Sequence, residues 1–286
     1  MAETDALATL EAGLDALEEP AAPSRTERRW VRAVPPLVAL ALLLGVWQLA
    51  YVLELKDPHA MPSPADVWRS LGDQWAKGTV QEAVKNSLHR GVLGFLASIA
   101  VGTPLGLLIA RVRVVRLAIG PIISGLQSLP SVAWVPAAII WFGLSDAAIY
   151  FVVLMGAVPS IANGLVAGID QIPPLYLKVG RVLGARRFTA ARHVVVPAAL
   201  PGYVAGLKQG WAFSWRSLMA AELITFSPRL GLGLGQLLDA GRQLSDMSLV
   251  VASILVILAV GVGIELLVFA PLERRVLRRR GLATAA

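Results

Sequence analysis

The sequence predicts an all-α, polytopic membrane protein with about six transmembrane helices and a polar helical segment on its cytoplasmic face. Three observations carry that expectation. The 286-residue chain has a mean hydropathy of +0.66, and only 16% of its residues are charged, against roughly 25% in soluble domains. Six stretches, at about 34–55, 87–110, 117–143, 147–169, 198–226 and 246–270, reach the roughly 20 apolar residues that cross a bilayer core. Lys and Arg gather on alternate connections, with seventeen of the 26 on the side that also holds both termini; this asymmetry marks that side as cytoplasmic.

Residues 1–33 form an acidic cytoplasmic tail, expected to be mobile and closed by Pro20 and Pro23. Leu7, Leu10, Leu14 and Leu17 leave a single amphipathic helix open as its alternative. Acids among the first 20 residues and the lack of a continuous apolar run argue against a cleaved signal peptide. The membrane domain then spans 34–270, its core about 85–270, and a basic cytoplasmic tail follows at 271–286.

Pro35 and Pro36 are expected to open the first span, where missing N–H donors do little harm. Pro121, Pro130 and Pro136 interrupt the third. Broken helices are tolerated where protein or a wet cavity satisfies the freed backbone, so this stretch is placed inside the bundle. Ser245 or Asp246 can cap the last span before Pro271.

The chemistry that composition excludes is broad. There is no cysteine, so disulfides and thiolate metal sites are absent. The net charge of +7 is the topological signal of cytoplasmic loops and does not point to nucleic acid. His59, His89 and His193 are scattered, without H-E-x-x-H, and no metal site is expected. No phosphate-cradling G-x4-G-K-[ST] occurs, and GLGLGQL (231–237) reads as a re-entrant turn or close-packed backbone.

The fifth stretch is the most informative. Gly202, Gly206 and Gly210 repeat every four residues, the small-residue spacing that lets membrane helices approach closely. Lys208, Trp215 and Glu222, seven apart, share the opposite stripe. An ionisable group at mid-membrane faces a bundle interior or a wet cavity, so Lys208, Trp215, Arg216 and Glu222 are candidates for a substrate path. The same residues also read as structural, with Lys208 paired or reaching to the interface.

Between the fourth and fifth spans lies KVGRVLGARRFTAARHVVVPAALPG (178–202), with five basic side chains from Lys and Arg and no acid. Leu175, Val179, Val182 and Leu183 fall on one helical face. Gly184 offers a turn, ARRFTAARH is again helix-compatible, and Pro197 and Pro201 mark re-entry into the membrane. The expected form is a helix–turn–helix on the cytoplasmic face. On these grounds alone it is equally an ordinary topology-setting loop.

Gly184, Val194, Val196 and Pro197 are similar to the G-x9-I-x-L-P pattern of the EAA loop in inner-membrane permease subunits of ABC importers. MPSPADVW (61–68), LPSVAWVPAAIIWFG (129–143) and AAELI (220–224) resemble the nitrate, taurine and aliphatic sulfonate branch. The resemblance implies a permease domain whose EAA-like loop, 175–201, is a coupling helix entering a separate ATPase subunit. Lys178, Arg181, Gly184, Ala185, Arg186, Arg187, Phe188, Arg192 and Pro197 would make that contact. It also implies a homodimer, a solute-binding protein outside, a small anionic substrate, and ATP bound and hydrolysed by the partner, with no cofactor in this chain. Where the family reads Glu-Ala-Ala, this chain has Lys178, Val179 and Gly180. An ion-coupled carrier or channel working without an ATPase is the alternative from another class, and it would need buried coupling carboxylates.

Overall fold

A computed structural model describes residues 25–57, 60–186, 188–225 and 231–278, with side chains from Val34 onward. The expectations for residues 1–24, His59, Arg187 and 279–286 lie outside the described residues. The chain divides into two compact units after Pro64.

The first unit is built on α1 (Arg25–Val52). Pro35 and Pro36 lie inside this helix instead of opening it, and residues 25–33 of the expected tail are helical. The prolines withhold N–H groups from the carbonyls of Val31 and Arg32, a tolerable loss where other groups satisfy the freed backbone. Its apolar part, Val34–Val52, buries none of its side chains.

The second unit comprises α2 (Pro64–Ala76), α3 (Thr79–Arg111), α4 (Arg113–Ser128), α5 (Val135–Phe142), α6 (Asp146–Asp170), α7 (Pro174–Val182), α8 (Val196–Ile224), α9 (Leu234–Gln243), α10 (Met247–Ile264) and α11 (Ala270–Arg278). Asp146 opens α6, and the Asp246 carboxylate caps α10 by accepting from the Leu249 N–H at 3.0 Å. Every described element is helical, as expected.

All six sequence stretches coincide with helices, but they differ in kind. Among the described residues, four helices are long and apolar enough to cross a membrane: Val34–Val52, Thr79–Arg111, Asp146–Asp170 and Met247–Arg278. The third stretch is a pair bent by 102°, which makes a fifth if counted as one span. Leu129, held extended before Pro130, starts the break, and a 3₁₀ turn at Ser131–Trp134 carries it into α5. Only one face of α5 is interior: Val135 and Ala138 are buried, while Ile140 and Trp141 are exposed. The fifth stretch is α8, 29 residues long, which carries Lys208, Arg216 and Glu222 and is not among the four.

Helix α6 is the centre of the unit, packed most extensively on α8 and next on α3. Both contacts are seams of small residues. The Gly202–Gly206–Gly210 face meets Gly164 and Gly168 of α6 so closely that a Cβ on Gly206 would stand 2.7 Å from Gly164 Cα, and one on Gly202 2.5 Å from Gly168 Cα. On the other side Gly94, Gly102 and Gly106 of α3 approach Val153, Ile161 and Ala162. Dispersion between close backbones, not water release, is what holds helices together in lipid.

Two π turns interrupt long helices. One, Ala191–Val195, precedes Pro197; the other, Glu265–Phe269, precedes Pro271. A proline cannot donate to the carbonyl four residues back and clashes with it, and widening the preceding turn absorbs both effects. The last span therefore continues through Ala270–Arg278 as helix, which takes in residues 271–278 of the expected tail.

Candidate functional site

The segment between α6 and α8 begins at Pro173 and Pro174, where α7 starts with proline in its first turn. Helix α7 ends at a left-handed Gly184 with φ +82, a conformation that few other residues accept. The turn is closed by Ala185 N–H donating to Gly180 O at 2.8 Å. The second half differs from the expected separate helix. A single turn, Phe188–Ala190, passes through the Ala191–Val195 π turn directly into α8, with Pro197 in the first turn of that helix.

This segment leaves its apolar side chains uncovered. Val182 is 86% exposed, Leu183 79% and Phe188 76%, with Leu175 and Val179 also exposed. Lys178, Arg181, Arg186 and Arg192 are exposed around them. Between α7 and the π turn runs a groove of about 470 Å³ lined by Leu175, Val179, Leu183, Val194 and Pro197 among others. His193 lies in it, with Nδ1 3.2 Å from Thr189 O.

At the opposite end of α8, Glu222 is fully buried. Its carboxylate accepts from Ser87 Oγ at 2.6 Å, Arg90 at 3.1 Å and the Gly235 N–H at 3.1 Å. Arg90, itself 4% exposed, also donates to Asp146 at 2.9 Å, and Ser87 accepts from the Leu234 N–H at 2.8 Å. The GLGLGQL stretch makes this closure possible: a Cβ on Gly233 would lie 2.6 Å from the Glu222 carboxyl, and one on Gly235 2.6 Å from Glu222 Cβ. The expected close-packed backbone is what its described part, 231–237, forms. Glu222 is thus the centre of a buried lock joining α3, α6, α8 and α9.

The remaining path candidates separate likewise. Trp215 is 7% exposed and stacks on Trp211 at 6.1 Å, inside the bundle. Lys208 ion-pairs with Glu265 at 2.7 Å and Glu273 at 3.2 Å. One ammonium between two carboxylates presents no net positive charge. Arg216 is exposed, with its guanidinium 4.7 Å from the Phe213 ring centroid. The periodicity placed Lys208, Trp215 and Glu222 on one stripe correctly, but that stripe faces α3, α9 and the last span.

Polar groups that sequence reasoning missed sit near the bend. Asn163 donates to Gln127 at 2.8 Å, Gln127 to Ser160 at 3.3 Å, and Ser217 to Ser131 at 2.7 Å. Short polar residues in apolar stretches were the available signal. Among the described residues no group of His, Asp and Glu has the geometry of a metal site.

Residues 102–278 match the family model described as "Binding-protein-dependent transport system inner membrane component". The chain belongs to this family of ABC permeases. It is 30% identical to the taurine transport system permease protein TauC of Escherichia coli, over 79% of this chain and 83% of that one. The nitrate import permease protein NrtB of Leptolyngbya laminosa is also 30% identical, over 79% and 81%. A chain of the MetNI methionine ABC transporter, solved in inward facing conformations, superposes with a TM-score of 0.55 at 20% identity, covering 68% of this chain and 94% of that one; this likeness concerns the fold. Binding-protein-dependent permeases are multi-pass inner-membrane transport subunits that work with an ABC ATPase and a binding protein, and this chain is such a subunit.

Proposed function

We propose that this permease forms, as a homodimer, the pathway for a small anion of the taurine, nitrate or aliphatic sulfonate type, and that the 174–195 segment docks into a separate ATPase subunit that binds and hydrolyses ATP. Both termini are cytoplasmic in this reading, and a solute-binding protein delivers substrate from the other side. The single observation that supports it best is the uncovered apolar face of Val182, Leu183 and Phe188 among Lys178, Arg181, Arg186 and Arg192. Apolar side chains left in water and rimmed by charge are a partner surface. Because this segment runs into α8 without a break, its displacement moves the span that carries Arg216 and the Glu222 lock. Among the described residues, the acids an ion-coupled carrier could use are paired: Glu222 and Asp146 with Arg90, Asp170 with Arg116, and Glu265 with Lys208.

In the cysteine-free background, Ala185→Cys is expected to cross-link to a cysteine engineered in the cleft of the ATPase subunit, with a yield that changes on adding ATP. No cross-link at any position of that cleft would refute the docking.

Of the two cationic path candidates, Lys208 is neutralised by Glu265 and Glu273, whereas Arg216 has no carboxylate partner among the described residues. Arg216→Gln is expected to lower uptake about tenfold, a loss of one exposed charge-assisted contact of about 1.4 kcal/mol, while assembly with the ATPase is kept. Lys208→Met is expected to act differently, reducing folded protein by leaving Glu265 and Glu273 unpaired without changing the KM of what remains. Equal KM for Arg216→Gln and wild type would remove Arg216 from the path.

A further inference from the structure

A second cavity lies on the coupling-segment side of the bundle, between α3, α6 and the start of α8. It measures about 180 Å³ and is lined by Leu107, Leu165, Ile169, Val196 and Leu200, with Tyr203 and Thr103 at one end and Arg111 at the other. The two hydroxyls lie 2.6 Å apart and bond to each other, so no polar group inside asks for a polar ligand. The volume falls below the roughly 300–1,000 Å³ of small-molecule sites, but it suits a single hydrocarbon chain. From Arg111 to Thr103 is eight residues along α3, a depth of about 12 Å.

Arg111 is the charged residue at this cavity. It is exposed, at the last position of α3, and among the described residues it has no carboxylate partner, whereas nearby Arg116 is engaged by Asp170. A free guanidinium where a span leaves the bilayer, beside an apolar crevice that descends between spans, matches an anionic headgroup with its acyl chain. Val195 and Val196, the junction of the π turn and α8, form part of the wall.

We infer that this crevice binds one acidic phospholipid, its acyl chain against Leu107 and Leu200 and its headgroup on Arg111, and that the lipid braces the junction through which the coupling segment moves α8. The bracing role rests on the docking proposed above; the binding itself does not.

The experiment uses the full transporter complex, purified in mild detergent from membranes containing phosphatidylglycerol and examined by intact-complex mass spectrometry. Wild type is expected to retain acidic phospholipid, recognised by its mass against free fatty acid or detergent. Arg111→Gln should retain about fivefold less, and Leu107→Trp, which fills the crevice, less as well. Arg113→Gln, outside the cavity, should retain the wild-type amount. Co-purification of the ATPase subunit is followed in every sample, so that a failure of the docking reading is seen separately from a failure of lipid binding. Equal acidic-lipid retention by wild type, Arg111→Gln and Leu107→Trp in assembled complexes would overturn the site, as would retention of zwitterionic lipid in place of acidic lipid.

Discussion

Glu222→Gln is expected to lower stability by about 3–5 kcal/mol, the loss that follows when one partner of a buried ion pair is removed. Arg90 is 4% exposed and would keep only the half-exposed Asp146 against a buried positive charge. Removing the charge from both sides should hurt less than the two single changes together, because Arg90→Gln with Glu222→Gln leaves no fully buried uncompensated ion, only the half-exposed Asp146. The measurement is a double-mutant cycle by thermal unfolding in detergent. Strict additivity of the two changes would show that the pair does not act as a unit. Substrate affinity is a separate readout: variants that fold should bind and transport with unchanged KM, since a fully buried carboxylate touches no solute.

Gly206→Ala is the second large effect. The added Cβ would stand 2.7 Å from Gly164 Cα and 3.3 Å from Gly164 C, backbone that has no rotamer to yield. Overpacking of this kind costs about 1–3 kcal/mol, and larger side chains should prevent α6 and α8 from closing. Gly263 in α10 is the control, because a Cβ there meets nothing within 4 Å. Gly263→Ala is expected to be neutral or slightly stabilising, as Ala favours helix over Gly by up to about 1 kcal/mol. If both substitutions shift the unfolding temperature equally, helix propensity and not the seam decides the outcome.

Much of this arrangement was legible in the residues, and the failures share one cause. The glycine face of α8 could be read from spacing alone, and its counterpart was equally readable: Gly164 and Gly168 show the same interval of four. The stripe of Lys208, Trp215 and Glu222 was correctly drawn, but periodicity gives the direction in which a side chain leaves a helix, not what waits there. Arg90 lies 132 residues from Glu222, so no local pattern could announce that the stripe ends in an ion pair. The two glutamates that neutralise Lys208 are hidden in the same way, since Glu265 and Glu273 meet it only once the last span has packed. The sequence puts Pro197 at the re-entry into the fifth span and Pro271 after the last one, where a proline ordinarily bounds a helix. The π turns ahead of them let both helices continue, and a widened turn has no sequence signature.

The uninterrupted run from the π turn to Glu222 has a mechanical consequence. Helix α8, 29 residues long with Pro201 inside it, is a rod of about 43 Å, gripped in its first half by the α6 glycines. Under the docking proposed above, such a rod works as a lever: a push on the end that leads from Phe188 and Arg192 swings the far end. Because Glu222 is bolted to Arg90 and to the Gly233–Gly235 backbone, that swing cannot be dissipated locally and must carry α9 and the beginning of α3 with it.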